Sequence, residues 1–201
     1  MYEWRRMTAA QREELLAARR QRQLPWHSPP HRDCGEGAYH LAAACYEHQP
    51  VIGLTANRMA QCEAALLEAI KPHTREIHAW CILPNHYHLL FATSDIKSVI
   101  HSIGQFHGRL AHRWNGEDRA RGRKVWRNCR ERAMRSERHF WATMNYVHHN
   151  PVHHGYCSKW QDWPFSSAAP FLEKVGTEEA ARIWTMYPLL DYGEGWDDPE
   201  L

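Results

Sequence analysis

The chain has 201 residues, 43% of them apolar and 24% charged, with a formal net charge of +2. That suffices for one domain with a sizeable core plus extensions, and the composition excludes a disordered or fibrous chain. No apolar run approaches the ~18 residues needed to span a membrane, and residues 1–20 are Arg/Glu-rich without the apolar centre of a secretory signal. The six cysteines form no C-x-x-C pair, which speaks against a disulfide framework or a zinc finger and for a reducing cytoplasm. The small net charge hides an asymmetry. Residues 119–138 hold nine Lys/Arg against two Glu, whereas residues 173–201 hold two against eight acids. A localised anionic partner fits this better than general adhesion to polyanions. Sixteen histidines and ten tryptophans complete the unusual features: imidazoles can be ligands or acid/base groups, and exposed indoles can stack on bases.

In chain order, Thr8-Ala-Ala-Gln11 is a capping-box pattern that predicts a helix over residues 12–23, ended by Pro25. The segment Pro25-Trp-His-Ser-Pro-Pro-His31 is extended or turn-like. Residues 38–47 are a strand candidate, although three consecutive alanines blur its period. Residues 58–70 place Met59, Cys62, Leu66 and Ile70 at helical spacing. Two apolar runs, 77–83 and 86–92, flank the turn signal Pro84-Asn85 and predict a β-hairpin. A helix capped by Ser94 or Asp95 is expected from 96 to about 114, stopped by Asn115-Gly116, and short basic strands within 125–134. Ser136 caps a last helix to Asn150, where Pro151 imposes the stop. The order strand, helix, strand, strand, helix, strand, helix favours an α+β fold, an antiparallel sheet with helices on one face, akin to a ferredoxin-like split βαβ.

Two constellations can carry chemistry. In a strand, His86 and His88 point the same way and Tyr87 the other, so the imidazoles can share a divalent cation given a third ligand, or be incidental. On the last helix Tyr146 and Asn150 are i,i+4 neighbours. They can present a phenol and an amide to one point, or be a core tyrosine and a helix cap.

Together these residues resemble a known family. His86-Tyr87-His88 after Leu-Pro-Asn is similar to the His-hydrophobic-His signature of HUH nucleases, although Tyr87 replaces the usual aliphatic residue. Tyr146-Val-His-His-Asn150-Pro151-Val152-x-x-Gly155 resembles a segment of the REP-associated tyrosine transposases, a branch of the single-tyrosine HUH, or IS200-like, transposases. Val125-Trp126-Arg127 and Asp162-Trp-Pro-Phe-Ser-Ser167 support the likeness, which is strongest over residues 39–171. It implies a ferredoxin-like HUH core with Mg²⁺ or Mn²⁺ on His86, His88 and Asn150. Tyr146 is then the nucleophile that cuts single-stranded DNA, leaving a 5′-phosphotyrosine link and a free 3′-OH. His₂-amide ligation is also compatible with zinc.

The basic block is the expected nucleic-acid surface: Arg119, Arg121, Arg123, Lys124, Arg127, Arg130, Arg132 and Arg135 for phosphates, Trp126 for stacking on a base. His148, His149, His153 and His154 flank Tyr146 as candidates for phosphate contact or proton transfer. The acidic tail is expected to pack as a cap or to occupy the basic groove. The domain reading is an N-terminal arm over 1–35, a transposase-like domain over 36–172 and an acidic extension over 173–201. The expected partner is single-stranded or hairpin DNA of the REP type, engaged by a monomer or homodimer in the bacterial cytoplasm at the nucleoid. Two alternatives stay open: a domesticated DNA-binding protein that no longer cleaves, and a small metallohydrolase.

Overall fold

The computed structural model describes residues 8–21 and 36–189. The chain divides into two units. The first contributes helix α1 (Ala9–Gln21), whose capping box is reciprocal: Gln11 N–H donates to Thr8 Oγ1 (3.3 Å) and Thr8 N–H to Gln11 Oε1 (2.8 Å). The Pro-rich segment lies outside the described residues.

The second unit holds β1 (Gly37–Ala44), α2 (Ala56–Ile70), β2 (Glu76–Ile82), β3 (His86–Thr93), α3 (Ile96–Glu117), β4 (Arg130–Ala133), α4 (Glu137–His153), α5 (Ala168–Val175) and α6 (Thr177–Met186). The strands form one antiparallel sheet in the order β2-β3-β1-β4. With α2 and α3 as its two crossovers, this is the expected ferredoxin-like arrangement. The core lies on the face of Tyr39, Leu41, Ala43, Tyr87, Leu89 and Phe91, filled by Met59, Cys62, Leu66 and Ile70 of α2 and Val99, Ile103, Phe106, Leu110 and Trp114 of α3. Both helices start where side chains take up orphan N–H groups: Thr55 Oγ1 accepts from Arg58 N–H (3.1 Å) and Asp95 Oδ1 from Ser98 N–H (3.1 Å).

The β2–β3 turn is seated from below. Leu83 N–H donates to His86 O (2.8 Å), and Gly53 N–H donates to Pro84 O (2.9 Å). A Cβ at Gly53 would come within 2.7 Å of Pro84 Cα and overlap its Cβ, so only glycine lets the chain pass beneath the turn.

Several expectations are corrected. Helices cover both faces of the sheet, because α4 packs over β2 and β3 opposite the apolar core. β1 ends at Ala44, and residues 125–134 give one strand plus an isolated bridge between Cys45 and Trp126. α3 runs through Asn115-Gly116: Asn115 is buried and exchanges bonds with Arg123, Nδ2 to the carbonyl (2.7 Å) and Arg123 Nε to Oδ1 (2.9 Å), instead of capping. α4 likewise runs through Pro151. The proline forfeits the bond to the Val147 carbonyl, but His154 N–H to Asn150 O (3.1 Å) closes a further turn, and the stop comes at Gly155 with φ +72°. Helices α5 and α6 were not expected. Among the described residues no helix is long and apolar enough to cross a membrane, and Cys45, Cys62, Cys81, Cys129 and Cys157 are free thiols.

Candidate active site

Strand alternation builds the site. On β3, odd positions face the apolar core and His86, His88 and Leu90 face α4. Tyr87, as expected, is fully buried on the core side, its hydroxyl 2.9 Å from His107 Nε2. α4 is started by Ser136, whose Oγ accepts from His139 N–H (3.1 Å). One face of it then lays Tyr146 and Asn150 over the histidines.

The four residues converge, although some sixty positions separate the two pairs in sequence. Asn150 Oδ1 lies 3.1 Å from His86 Nε2. The Tyr146 ring is edge-on to His88, centroids 5.2 Å apart, and His86 and His88 are 5.0 Å apart. All are nearly closed to solvent, at 3% exposure for His86, 0% for His88 and Asn150, and 4% for Tyr146.

Two further residues belong here that sequence reasoning passed over. His40, on β1, places Nε2 3.1 Å from His88 Nδ1, stacks on that ring, and meets Tyr146 edge-on at 6.2 Å. The signal was present: His40 has the same strand parity as Ala42 and Ala44, which stand opposite His88 and His86, but the alanine run concealed it. Asn85 served only as a turn residue in the sequence, yet its Oδ1 is 2.7 Å from His86 Nδ1.

These contacts admit one pair of neutral tautomers that suits a cation. A neutral imidazole has one N–H. Donated from His86 Nδ1 to Asn85, it leaves Nε2 as a lone pair beside the carbonyl oxygen of Asn150. Donated from His88 Nδ1 to His40, it leaves His88 Nε2 as a lone pair too. Two imidazole nitrogens and an amide oxygen brought this close fit a divalent cation. Among the described residues no group of three or more His, Cys, Asp or Glu is set to hold a metal, so the set depends on the amide of Asn150.

The neighbouring histidines separate. His154 is exposed, its ring 5.0 Å from His86. His148 faces away, bonded to Ser167 Oγ (2.9 Å), and burial pushes its pKa down to about 3. A group held neutral behind the helix cannot shuttle protons for Tyr146. His149, packed on Trp160, bonds the Asn145 carbonyl, and burial lowers its pKa. His153 is exposed beside His154. The start of the acidic tail packs as a cap: Trp184 of α6 stacks on Phe171 at 5.3 Å and meets His148 at 5.9 Å, while Asn145 Nδ2 donates to Tyr187 O (2.8 Å).

The basic block is divided. Its first half wraps the end of α3, where Arg119 is exposed and Arg121 donates to the His112 carbonyl (3.3 Å). Arg123 pairs with Asp118 (2.6 Å), and Lys124 sits 4.6 Å over the Tyr46 ring. Asp118 also binds Arg58, whose bond is the main reason its carboxyl titrates down at about 2. The second half follows the edge of the sheet, with Arg127 half-buried and Arg130, Arg132 and Arg135 exposed. Trp126 is a correction. It is 8% exposed, stacked on His107 at 4.2 Å and in contact with Trp114, Phe106 and Tyr87, so it fills the core and offers no face to a base.

Comparison with known proteins bears on the family and the fold. The family model described as "Transposase IS200 like" matches residues 35–150. The REP-associated tyrosine transposase of Escherichia coli (strain K12) is 28% identical over 115 residues, 51% of this chain and 60% of its own length. The chain thus spans about 60% of that relative's length. Among solved structures, a REP-associated tyrosine transposase bound to a REP hairpin superposes with a TM-score of 0.56 at 19% identity, over 81% of this chain and 89% of that one. At that identity the likeness shows a shared fold.

Proposed function

This chain belongs to the IS200-like transposase family, and from that premise we propose that it is a REP-associated tyrosine transposase that cuts and rejoins single-stranded or hairpin DNA through Tyr146. One observation carries the reading: Tyr146 and Asn150 come from one helix to meet His86 and His88 on one strand, with Asn150 Oδ1 3.1 Å from His86 Nε2 and the Tyr146 and His88 rings 5.2 Å apart. A metallohydrolase would leave Tyr146 and the arginine edge without a task. The proposed catalytic domain covers residues 36–172, between the arm over 1–35 and the acidic extension over 173–201.

In this proposal His86, His88 and Asn150 hold Mg²⁺ or Mn²⁺, which when bound polarises the scissile phosphate and offsets its growing charge. Asn85 and His40 keep the two imidazoles turned so that their Nε2 lone pairs face inward. Tyr146 Oη attacks phosphorus. An O–P bond to tyrosine forms as the P–O3′ bond breaks, the phenol proton leaves, and the departing 3′ oxygen takes up a proton. A phenol, with an ordinary pKa near 10, is a weak nucleophile at neutral pH. One phosphodiester is exchanged for another, so the bond energy is retained and the 3′-OH can later reverse the step without ATP. Burial of Tyr146 keeps water from the link.

The test is direct. Wild type and Tyr146→Phe are incubated with labelled hairpin oligonucleotides bearing single-stranded flanks, with Mg²⁺ or Mn²⁺. A covalent protein–DNA adduct formed only by wild type supports the reading. Binding without an adduct under either metal identifies a non-cleaving DNA-binding protein, and hydrolysis that survives Tyr146→Phe identifies a metallohydrolase.

A further inference from the structure

Cross-strand partners in a sheet point to the same face. β1 sets Ala42 opposite His88 and Ala44 opposite His86, and on its other side sets Arg130 opposite Ala42 and Arg132 opposite His40. Along one cross-strand line the site face therefore reads outward from β3 as His88, Ala42 and Arg130, and along the next as Leu90, His40 and Arg132. Glu131, paired with Leu41, points to the core side. The three rows differ in cover. His86 and His88 on β3 are buried, β1 carries buried His40 beside half-buried Ala42 and Ala44, and Arg130 and Arg132 on β4 are exposed. α4 accounts for this, since it packs over β2 and β3.

The methyl groups of Ala42 and Ala44 thus floor a short trough, walled by His86 and His88 on β3 and Arg130 on β4 and bounded by His40, whose neighbour on β4 is Arg132. With about 4.8 Å between neighbouring strands, the backbones of His88 and Arg130 are about 10 Å apart. That width takes one strand and not a duplex, whose two grooves alone are about 8.5 and 7.5 Å deep. Arg127 stands at the Ala44 end, its N–H bonded to the Ala44 carbonyl (2.9 Å). The Arg130 guanidinium, part of which is shielded from water, sits below its ordinary pKa, first through that partial burial and then through the charge of Arg127. An anion between these two cations would relieve that repulsion.

We propose that this alanine-floored trough is the path by which a single DNA strand reaches Tyr146, with Arg130 and Arg132 holding phosphates one or two nucleotides from the cleaved bond. It rests on the reading of Tyr146 as the nucleophile. It adds a direction for the strand, across β1 toward β4, and assigns a purpose to two alanines. Within the basic block it ranks the β4 arginines above those at the end of α3.

The experiment separates the two claims by measuring binding in full-length Tyr146→Phe, where nothing is cut. The probes are hairpin oligonucleotides with single-stranded flanks in which one phosphate at a time is replaced by an uncharged methylphosphonate. One replacement is expected to weaken binding about tenfold, the size of one charge-assisted contact. Adding Arg130→Ala is expected to weaken the unmodified probe by the same factor and to make that replacement cost nothing more. Arg132→Ala is expected to do so for a neighbouring phosphate. Additive losses for both arginines at every position would overturn the proposal. In the otherwise wild-type chain, Ala42→Leu is expected to slow adduct formation at least tenfold while Ala42→Ser is nearly silent; an unaffected Ala42→Leu also overturns it. Mn²⁺ affinity of Ala42→Leu is measured alongside. A fall in that affinity matching the loss of rate would mean that leucine displaced His88, and would count against the trough. If wild type forms no adduct, the reading of Tyr146 fails, while the binding data still decide the trough.

Discussion

The two faces of this sheet are made by the same strands and differ in almost every other respect. On one, Tyr39, Leu41, Tyr87, Leu89 and Phe91 meet two amphipathic helices in a dense apolar core. On the other, single-residue steps along the same strands present His40, Ala42, Ala44, His86 and His88. The first face spends volume on packing. The second gathers polar groups under α4 and leaves half-buried alanines beside them. The difference teaches that a β-strand can supply stability and chemistry at once, provided its period of two is kept strictly in register.

The contrast can be broken from the core side first. Phe91→Ala is expected to cost about 3–5 kcal/mol of stability, read by chemical denaturation. Trp126→Ala should cost a similar amount, because it opens a cavity among Trp114, Phe106 and His107. Unchanged DNA affinity of its folded fraction would confirm the indole as core, whereas a loss worth about 1–3 kcal/mol would restore it as a stacking platform. From the site side, His86→Ala should abolish the adduct while leaving DNA binding largely intact, since the proposed phosphate contacts lie elsewhere.

His40→Phe keeps the volume and removes the bond to His88. Metal affinity, followed by Mn²⁺ titration, is expected to fall about 10–100-fold with little change in unfolding midpoint. A merely structural role for His40 would give the opposite pair of results.

A smaller effect comes from two imidazoles outside the site. Burial pushes both His107, on the core side, and His148, behind α4, from 6.5 down to about 3. A base with a lowered folded pKa takes up its proton first in the unfolded state. Stability is therefore intact above about 6.5 and declines as pH falls toward 3, by up to about 1.4 kcal/mol per pH unit for each residue. Melting temperature followed from pH 7.5 to 5 should fall, and His148→Gln should flatten the slope. The least effect is expected of Lys124→Ala, within about 0.5 kcal/mol of stability and without a change in adduct rate.

Much of this was legible in the residues. The alternation through 86–92 and the Pro84-Asn85 turn specified β3 and its parity, and caps at Ser136 and Asp95 marked two helices within a residue of their observed starts. Less legible was α6, although Ala180, Ile183, Trp184 and Tyr187 stand at helical spacing. The eight acids of residues 173–201 make that stretch read as a charged extension instead. Trp126 misled because an indole among arginines looks like a nucleic-acid platform. Nothing local reveals that the isolated bridge to Cys45 turns it into the core.

The motifs and the family resemblance they carry named the candidate nucleophile, the candidate ligands and the family, because short motifs are local properties that survive in one dimension. Position across the sheet is not local. That His40 would orient His88, that two alanines would lie between the histidines and Arg130, and that Trp126 would be withdrawn from solvent all depend on which strands become neighbours and in what register. Pairing partners are chosen by the burial of the whole opposite face, and that choice exists only once the chain has folded.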